Sequence, residues 1–259
     1  MLLEIELLVD IILIIVSLAG LFFSAFYTFK NKISFFKGIC LGTLSLLGAF
    51  ILSVIYQKAV LGISPIDIII KATFDSMKQL IDETPAGMLN SFALAMGETN
   101  SEVVRATLKL AVESMRQIYS ILLPSFLITV FAGFTFVLFM IIKTVLRFWG
   151  KDVSFIINFN EIRLNRSFVL VYFVIFIAGT VVPQGIFANV ISNIFFVMSV
   201  YVYFCTLSLV DYFLQKRIRY FAIRFIILIL FVMTMSMAFG IAALFAVIDA
   251  FRNFRARGE

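Results

Sequence analysis

Predominantly apolar runs of more than about 18 residues recur along this chain, and that length is what a helix needs to cross the hydrocarbon of a bilayer. Residues 7–29, 38–56, 119–142 and 187–210 all read this way, with 167–182 a shorter one and 221–248 a longer one. A membrane β-barrel would instead show alternating segments of about ten residues. The expected class is therefore all-α, a polytopic helical membrane protein with six to seven membrane segments and an amphipathic helical insertion. Composition agrees, because 63% of the 259 residues are hydrophobic and 14% are charged. Soluble domains carry about 25% charged residues, so there is too little polar surface here to cover a water-facing globule.

The missing residue types exclude chemistry. There is no histidine, which removes Ser-His-Asp and Cys-His catalysis. Cys40 and Cys205 lie in apolar runs, so the usual zinc ligand sets are absent and no metal or cofactor is expected. The reading is non-enzymatic. The net charge of +6 does not form a basic face with interleaved aromatics, so nucleic acid is not an expected partner. The basic residues instead cluster at the ends of apolar runs, where membrane topology places them.

Those clusters set the expected orientation. Lys30, Lys32 and Lys37 mark one loop as inside, Lys143, Arg147 and Lys151 another, and Lys216, Arg217 and Arg219 a third. The first run has acidic flanks (Glu4, Glu6, Asp10) and is expected to be retained rather than cleaved. The chain divides into 1–56 with two spans, 57–119 as an amphipathic segment at the outer interface, and 120–259 as a bundle. Residues 57–119 hold six basic and seven acidic residues. Pro65 after Ser64 opens one helix. Its apolar residues Ile66, Ile69, Ile70, Met77 and Leu80 oppose Asp67, Lys71, Asp75, Lys78 and Asp82. Thr99 and Glu102 form a capping-box pattern ahead of a second helix with the stripe Val104, Leu108, Ala111, Met115 and Ile118. The connection at 84–100 is a candidate lid. Residues 152–166 are mixed and expected at the interface.

The last run, 221–248, is open to two readings. One tilted span fits its length. A hairpin turning near Met235 to Met237 would put both basic ends, including Arg252, Arg255 and Arg257, on the inside, and the charge rule favours it. The C-terminal tail is then cytoplasmic.

Small residues mark candidate helix contacts: Gly38 and Gly42 in the second span, and Ala238, Ala242, Ala246 and Ala250 in the last. Gly20 and Ser24 form a shorter pair of this kind in the first span. Polar residues inside spans are the candidate binding residues. Asn189, Ser192 and Asn193 lie in the fifth span, with Tyr201 further along. Interhelical hydrogen bonding explains them equally well. Asp211, Asp249 and Arg252 sit at span ends as interfacial charges.

Several stretches of the second half look like a known family. They are Leu123-Pro124-Ser125, the segment Lys143 to Phe148, Ser208 to Leu214 ahead of a basic loop, and Gly240 to Asp249 ending in Phe251-Arg252-Asn253-Phe254-Arg255. Over 119–257 the chain resembles the YybS-like predicted bacterial membrane proteins, domain of unknown function 2232. That resemblance implies the bacterial cytoplasmic membrane. It also implies a loose relation to the substrate-binding subunits of energy-coupling-factor transporters, hence small-molecule binding or transport beside an ATPase module. Such subunits dock through alanine ladders on an early helix, whereas the ladder here is on the last. The alternative is a non-catalytic assembly or scaffold protein with other membrane subunits as partners. The lipid bilayer is a partner in either case.

Overall fold

The computed structural model describes the backbone of residues 2–62, 64–85, 87–89, 91, 94 and 100–252, with side chains at 2–10, 61, 65, 221, 234–240 and 242 not described. Within these residues the long elements are all helices: α1 (Leu2–Lys30), α2 (Phe35–Leu61), α3 (Pro65–Glu83), α4 (Ser101–Phe148), α5 (Arg166–Val181), α6 (Ile186–Arg217) and α7 (Phe221–Arg252), with a short 3-10 turn at Phe159–Glu161. Four contain stretches long and apolar enough to cross a membrane: Ile11–Lys30, Phe35–Val60, Ser101–Phe148 and Ile186–Arg217. Arg166–Val181 and Ala222–Met233 are shorter apolar stretches.

Several helix boundaries differ from the sequence reading, and the differences share a cause. Polarity changes along the chain where its surroundings change, but a helix continues until something breaks it. Gln57 to Leu61 extend α2. The second amphipathic helix and the third span are one 48-residue helix, α4, with Pro124 inside it. At the start of α4 Asn100 Oδ1 accepts the Glu102 N–H at 2.9 Å; the expected box with Thr99 falls on a residue outside the described ones. α6 runs past Asp211 to Arg217, since nothing in Tyr-Phe-Leu-Gln-Lys-Arg opposes helix. The backbone is helical across Met235–Met237, where the sequence reading placed a hairpin turn, yet both ends of α7 reach the same end of its neighbours: Arg224 pairs with Asp211 and Phe251 O accepts from Arg166. The stretch carries neither the Pro nor the paired Gly that a turn would need. The candidate lid falls largely outside the described residues.

The chain forms two compact units, Met1–Ala19 with Ser45–Leu123, and Gly20–Leu44 with Pro124–Glu259. In the first, α3 starts at Pro65 after Ser64 and stops at Thr84, ahead of Pro85. Pro biases the residue before it away from helix. Ile70, Phe74 and Val112 are the buried contact between α3 and the first half of α4, flanked by Ile66, Ile81 and Leu123. Salt bridges Lys78–Glu113 and Lys109–Asp82 close its edges, and Arg105 donates to the Thr84 carbonyl at 3.1 Å. Of the expected apolar stripes, Ile66, Ile70, Val104 and Leu108 face inward, while Ile69, Met77, Leu80, Met115 and Ile118 are exposed.

The second unit holds the main core, in which Phe35, Phe139, Ile156, Ile162, Val169, Val202 and Cys205 are among the buried residues. Here α1, α2 and α4 approach closely. A Cβ on Gly38 would stand 2.6 Å from Thr28 Oγ1 and 2.7 Å from Phe139 Cε1. A Cβ on Gly42 would stand 2.5 Å from Thr135 Cγ2 and 3.1 Å from Ser24 Oγ. The hydroxyls at this contact turn back on their own helices: Thr28 donates to Ser24 O at 2.7 Å and Thr135 to Phe131 O at 2.8 Å. Of the alanine series, Ala246 is buried in this core with Ala250 packed against it. The side chains of Ala238 and Ala242 are among those not described.

Candidate functional site

The polar side chains of the second unit converge on one element that the sequence reading left at the interface, the connection 149–165. It starts with a tight helix end. The Lys151 N–H reaches Leu146 O at 3.0 Å, the Gly150 N–H reaches Arg147 O at 3.0 Å, and Gly150 has φ +70°. This paired closure with glycine in the left-handed region is the Schellman motif. Asp152 then fixes the next turn. Its Oδ1 accepts the Ser154 N–H at 3.1 Å and the Ser154 hydroxyl at 2.7 Å, and its Oδ2 accepts Lys32 Nζ at 2.9 Å.

Beyond that turn the segment does not lie on the surface. Val153, Ile156, Ile162 and Leu164 are all buried, so its backbone carbonyls are drawn inward with them and need donors. Two side chains on the helices supply these. Lys143 of α4, itself buried, donates to Ile156 O at 2.7 Å and to Asn158 Oδ1 at 2.8 Å. The Ser208 hydroxyl of α6, fully buried, lies 2.6 Å from Phe159 O and 2.7 Å from Ile162 O. It has one proton to share between them. The Glu161 carboxylate accepts the Asn158 N–H at 3.3 Å and the Asn158 amide. Asn160 bonds Gln215, and Asn165 Oδ1 accepts the Ser167 N–H at 3.2 Å to start α5.

In the sequence Lys143 reads as a topology marker and Ser208 as one residue of an apolar helix end. A signal for Lys143 did exist. It follows Phe139 by four residues and Phe136 by seven, so it falls on the face of α4 that is apolar and inward.

The hydrogen bonds of Ser154, then those of Lys32, hold the Asp152 carboxyl well below the usual carboxylate range. A depressed carboxylate contributes stability above its unfolded-state value, near 3.8, and loses it as pH falls further. Protection of residues 149–155 against hydrogen exchange is therefore expected to weaken below about pH 4, and Asp152→Asn to flatten that dependence. The effect should be small, because Lys32 and Asp152 are both exposed.

The candidate binding residues of α6 do not form one site. Asn193 Oδ1 accepts the Ser125 N–H at 3.2 Å and the Ser125 hydroxyl, while its Nδ2 donates to Asn189 O at 2.8 Å. Pro124 explains the first bond. A proline inside a helix disrupts the hydrogen-bond ladder around it, and a neighbouring helix then has to satisfy the freed groups. The Asn189 and Ser192 side chains are exposed. Tyr201, two turns further on, packs edge-on against Phe168 with ring centroids 4.9 Å apart. Asn193→Leu is expected to cost about 1–3 kcal/mol, the penalty for leaving buried polar groups unpaired. Thermal unfolding in detergent would measure this, with Ser192→Leu, on the exposed side, close to wild type.

At the helix ends, Asp211 pairs with Arg224 at 3.3 Å, joining α6 to the first turn of α7. Asp249 is buried and Arg252 exposed. Arg166, at the start of α5, donates to Phe251 O at 3.3 Å, so the last turn of α7 also reaches the segment that starts α5. Among the described residues no three His, Cys, Asp or Glu side chains converge as metal ligands.

The chain matches the family described as predicted membrane protein (DUF2232) over residues 2–250. It belongs to that family. The match begins at residue 2, so it takes in α1, α2 and α3 as well as the second half where the resemblance lay. No curated protein matches this DUF2232 protein, and no solved structure does. Its apolar helices make it an integral membrane protein in contact with the lipid bilayer.

Proposed function

We propose that this DUF2232 protein is a non-catalytic subunit of a larger membrane assembly, meeting its partner through α3 and the first half of α4. The supporting observation is the apolar surface left on that pair. Residues 57–119 hold six basic and seven acidic residues, too many to lie within hydrocarbon. A helix pair in water keeps its outer face polar. Here Ile69 and Leu80 on α3, and Leu110 and Ile118 on α4, stay exposed, although Ile70, Phe74 and Val112 already fill the contact between the helices. Exposed apolar surface of this kind fits the apolar face of another membrane protein.

A photo-crosslinker at Leu80 or Leu110, in the native membrane, tests this. The expected product is an adduct with an integral membrane protein that also co-purifies with wild type and is lost from Leu80→Glu/Leu110→Glu. Adducts with lipid alone would overturn the reading. Co-purification of an ATPase module with a retained small molecule would replace it with the second reading, a small-molecule-binding or transport subunit. Asn189 and Ser192, exposed polar side chains in an apolar helix, favour that second reading. In both readings the host is the bacterial cytoplasmic membrane with the basic tail cytoplasmic. The Arg166–Phe251 bond supports this placement of the tail, since it sets the end of α7 beside the start of α5, which follows the connection from the basic segment 147–151.

A further inference from the structure

The connection 149–165 has a second property besides being anchored inward: it joins two short segments of the same composition. One is Arg147-Phe148-Trp149-Gly150-Lys151 at the end of α4, and the other is Lys216-Arg217-Ile218-Arg219-Tyr220 between α6 and α7. Asn160 to Gln215 ties the connection to the second of them. The aromatic side chains are strongly exposed, Phe148 at 88%, Trp149 at 68% and Tyr220 at 74%. Arg147, Lys151, Arg217 and Arg219 are exposed beside them. The carboxylates nearby are engaged within the fold: Asp152 with Lys32 and Ser154, Glu161 with Asn158, and Asp211 with Arg224. The two segments together hold five basic residues, Arg147, Lys151, Lys216, Arg217 and Arg219, and no acidic one, so the outward field of this end is positive.

We infer that this end of the second unit is a binding surface for anionic phospholipid headgroups, with Arg147, Lys151, Arg217 and Arg219 meeting phosphates while Trp149, Phe148 and Tyr220 sit at the headgroup boundary. Exposed aromatic side chains are costly in water and favourable at that boundary, where an amphipathic ring meets both phases. Guanidinium and ammonium groups at the same depth attract the phosphodiester anions of the leaflet. An acidic soluble protein would satisfy the charge but would leave three large aromatic side chains without an apolar phase, so the lipid surface is the better fit.

The test compares full-length protein in nanodiscs of phosphatidylcholine alone and with phosphatidylglycerol added, reading thermal unfolding, together with native mass spectrometry of retained lipid. Inorganic phosphate added to the phosphatidylcholine nanodiscs is a separate arm. Phosphatidylglycerol is expected to raise the unfolding temperature and to stay bound, and inorganic phosphate to do neither. Arg147→Gln/Lys151→Gln/Arg219→Gln is expected to match wild type in phosphatidylcholine and to lose about tenfold or more of its preference for phosphatidylglycerol. Should that variant misfold in phosphatidylcholine, Arg219→Gln alone, with its smaller loss of preference, supplies the comparison. Equal behaviour in the two lipids, stabilisation by inorganic phosphate alone, an unchanged preference in the variants, or an acidic protein displacing bound phosphatidylglycerol would each overturn the inference.

Discussion

Gly38→Ala is expected to destabilise the protein by about 1–3 kcal/mol, the cost of forcing extra volume into a packed core, and Gly38→Leu to prevent the α1–α2–α4 contact from forming. The added methyl would meet Thr28 and Phe139 at 2.6 to 2.7 Å, and neither has room to yield. Both are fully buried. The Thr28 hydroxyl is held by Ser24 O, and the Phe139 ring lies between those of Phe29 and Phe35, with centroids 5.9 and 6.2 Å away. Gly42→Ala should act in the same direction, because its methyl would stand 2.5 Å from Thr135 Cγ2. Gly48 is the internal control. It lies in the same helix with nothing within 4 Å of an added Cβ, so Gly48→Ala should be neutral or gain up to about 1 kcal/mol from helix propensity. Thermal unfolding in detergent, followed by circular dichroism, reads all three. A loss at Gly48 equal to that at Gly38 would mean that helix propensity, and not the close approach, sets the outcome.

The Gly38–Gly42 pair shows what a sequence of this kind conveys well. Small residues four apart in an apolar run define one face of a helix before any partner is known. Span lengths are conveyed in the same way, because the solvent constrains each run separately. What the sequence conveys poorly is anything that depends on a partner distant in the chain. Asn193 has the pattern of a cavity residue or of an interhelical bond, and only Ser125, 68 positions earlier, shows its oxygen in the second role. α4 has the pattern of two elements because its surroundings change near Tyr119, although the backbone has no reason to stop. At Met235–Met237 the charge rule asks for a reversal; the backbone there keeps helical hydrogen bonding, while Arg224 and Phe251, at the two ends of α7, are both held at the Asp211 and Arg166 end.

Lys143 is the sharpest instance, and it carries the second large expected effect. Lys143→Met preserves most of the side-chain volume and removes the charge with both of its hydrogen bonds. Ile156 O then loses its donor in a region lined by Phe139, Ile156 and Ile162, and Asn158 Oδ1 loses one at the partly open edge. Hydrogen bonds from a charged donor are worth about 1.5–3 kcal/mol each. A loss of about 2–5 kcal/mol is therefore expected once some relaxation is allowed. The loss should also be local. Ser208 still holds Phe159 O and Ile162 O, so hydrogen exchange should speed up most between Ser154 and Asn158 and least in α5, which starts from its own Asn165 cap. Lys151→Met, at an exposed position of the same connection, removes an equal charge and should leave exchange there close to wild type. If the two substitutions behaved alike, charge at this end of the molecule would matter and the buried bonds would not. If Lys143→Met alone loosens the segment, the lysine acts as the donor that lets a connection full of backbone carbonyls fold down between apolar helices.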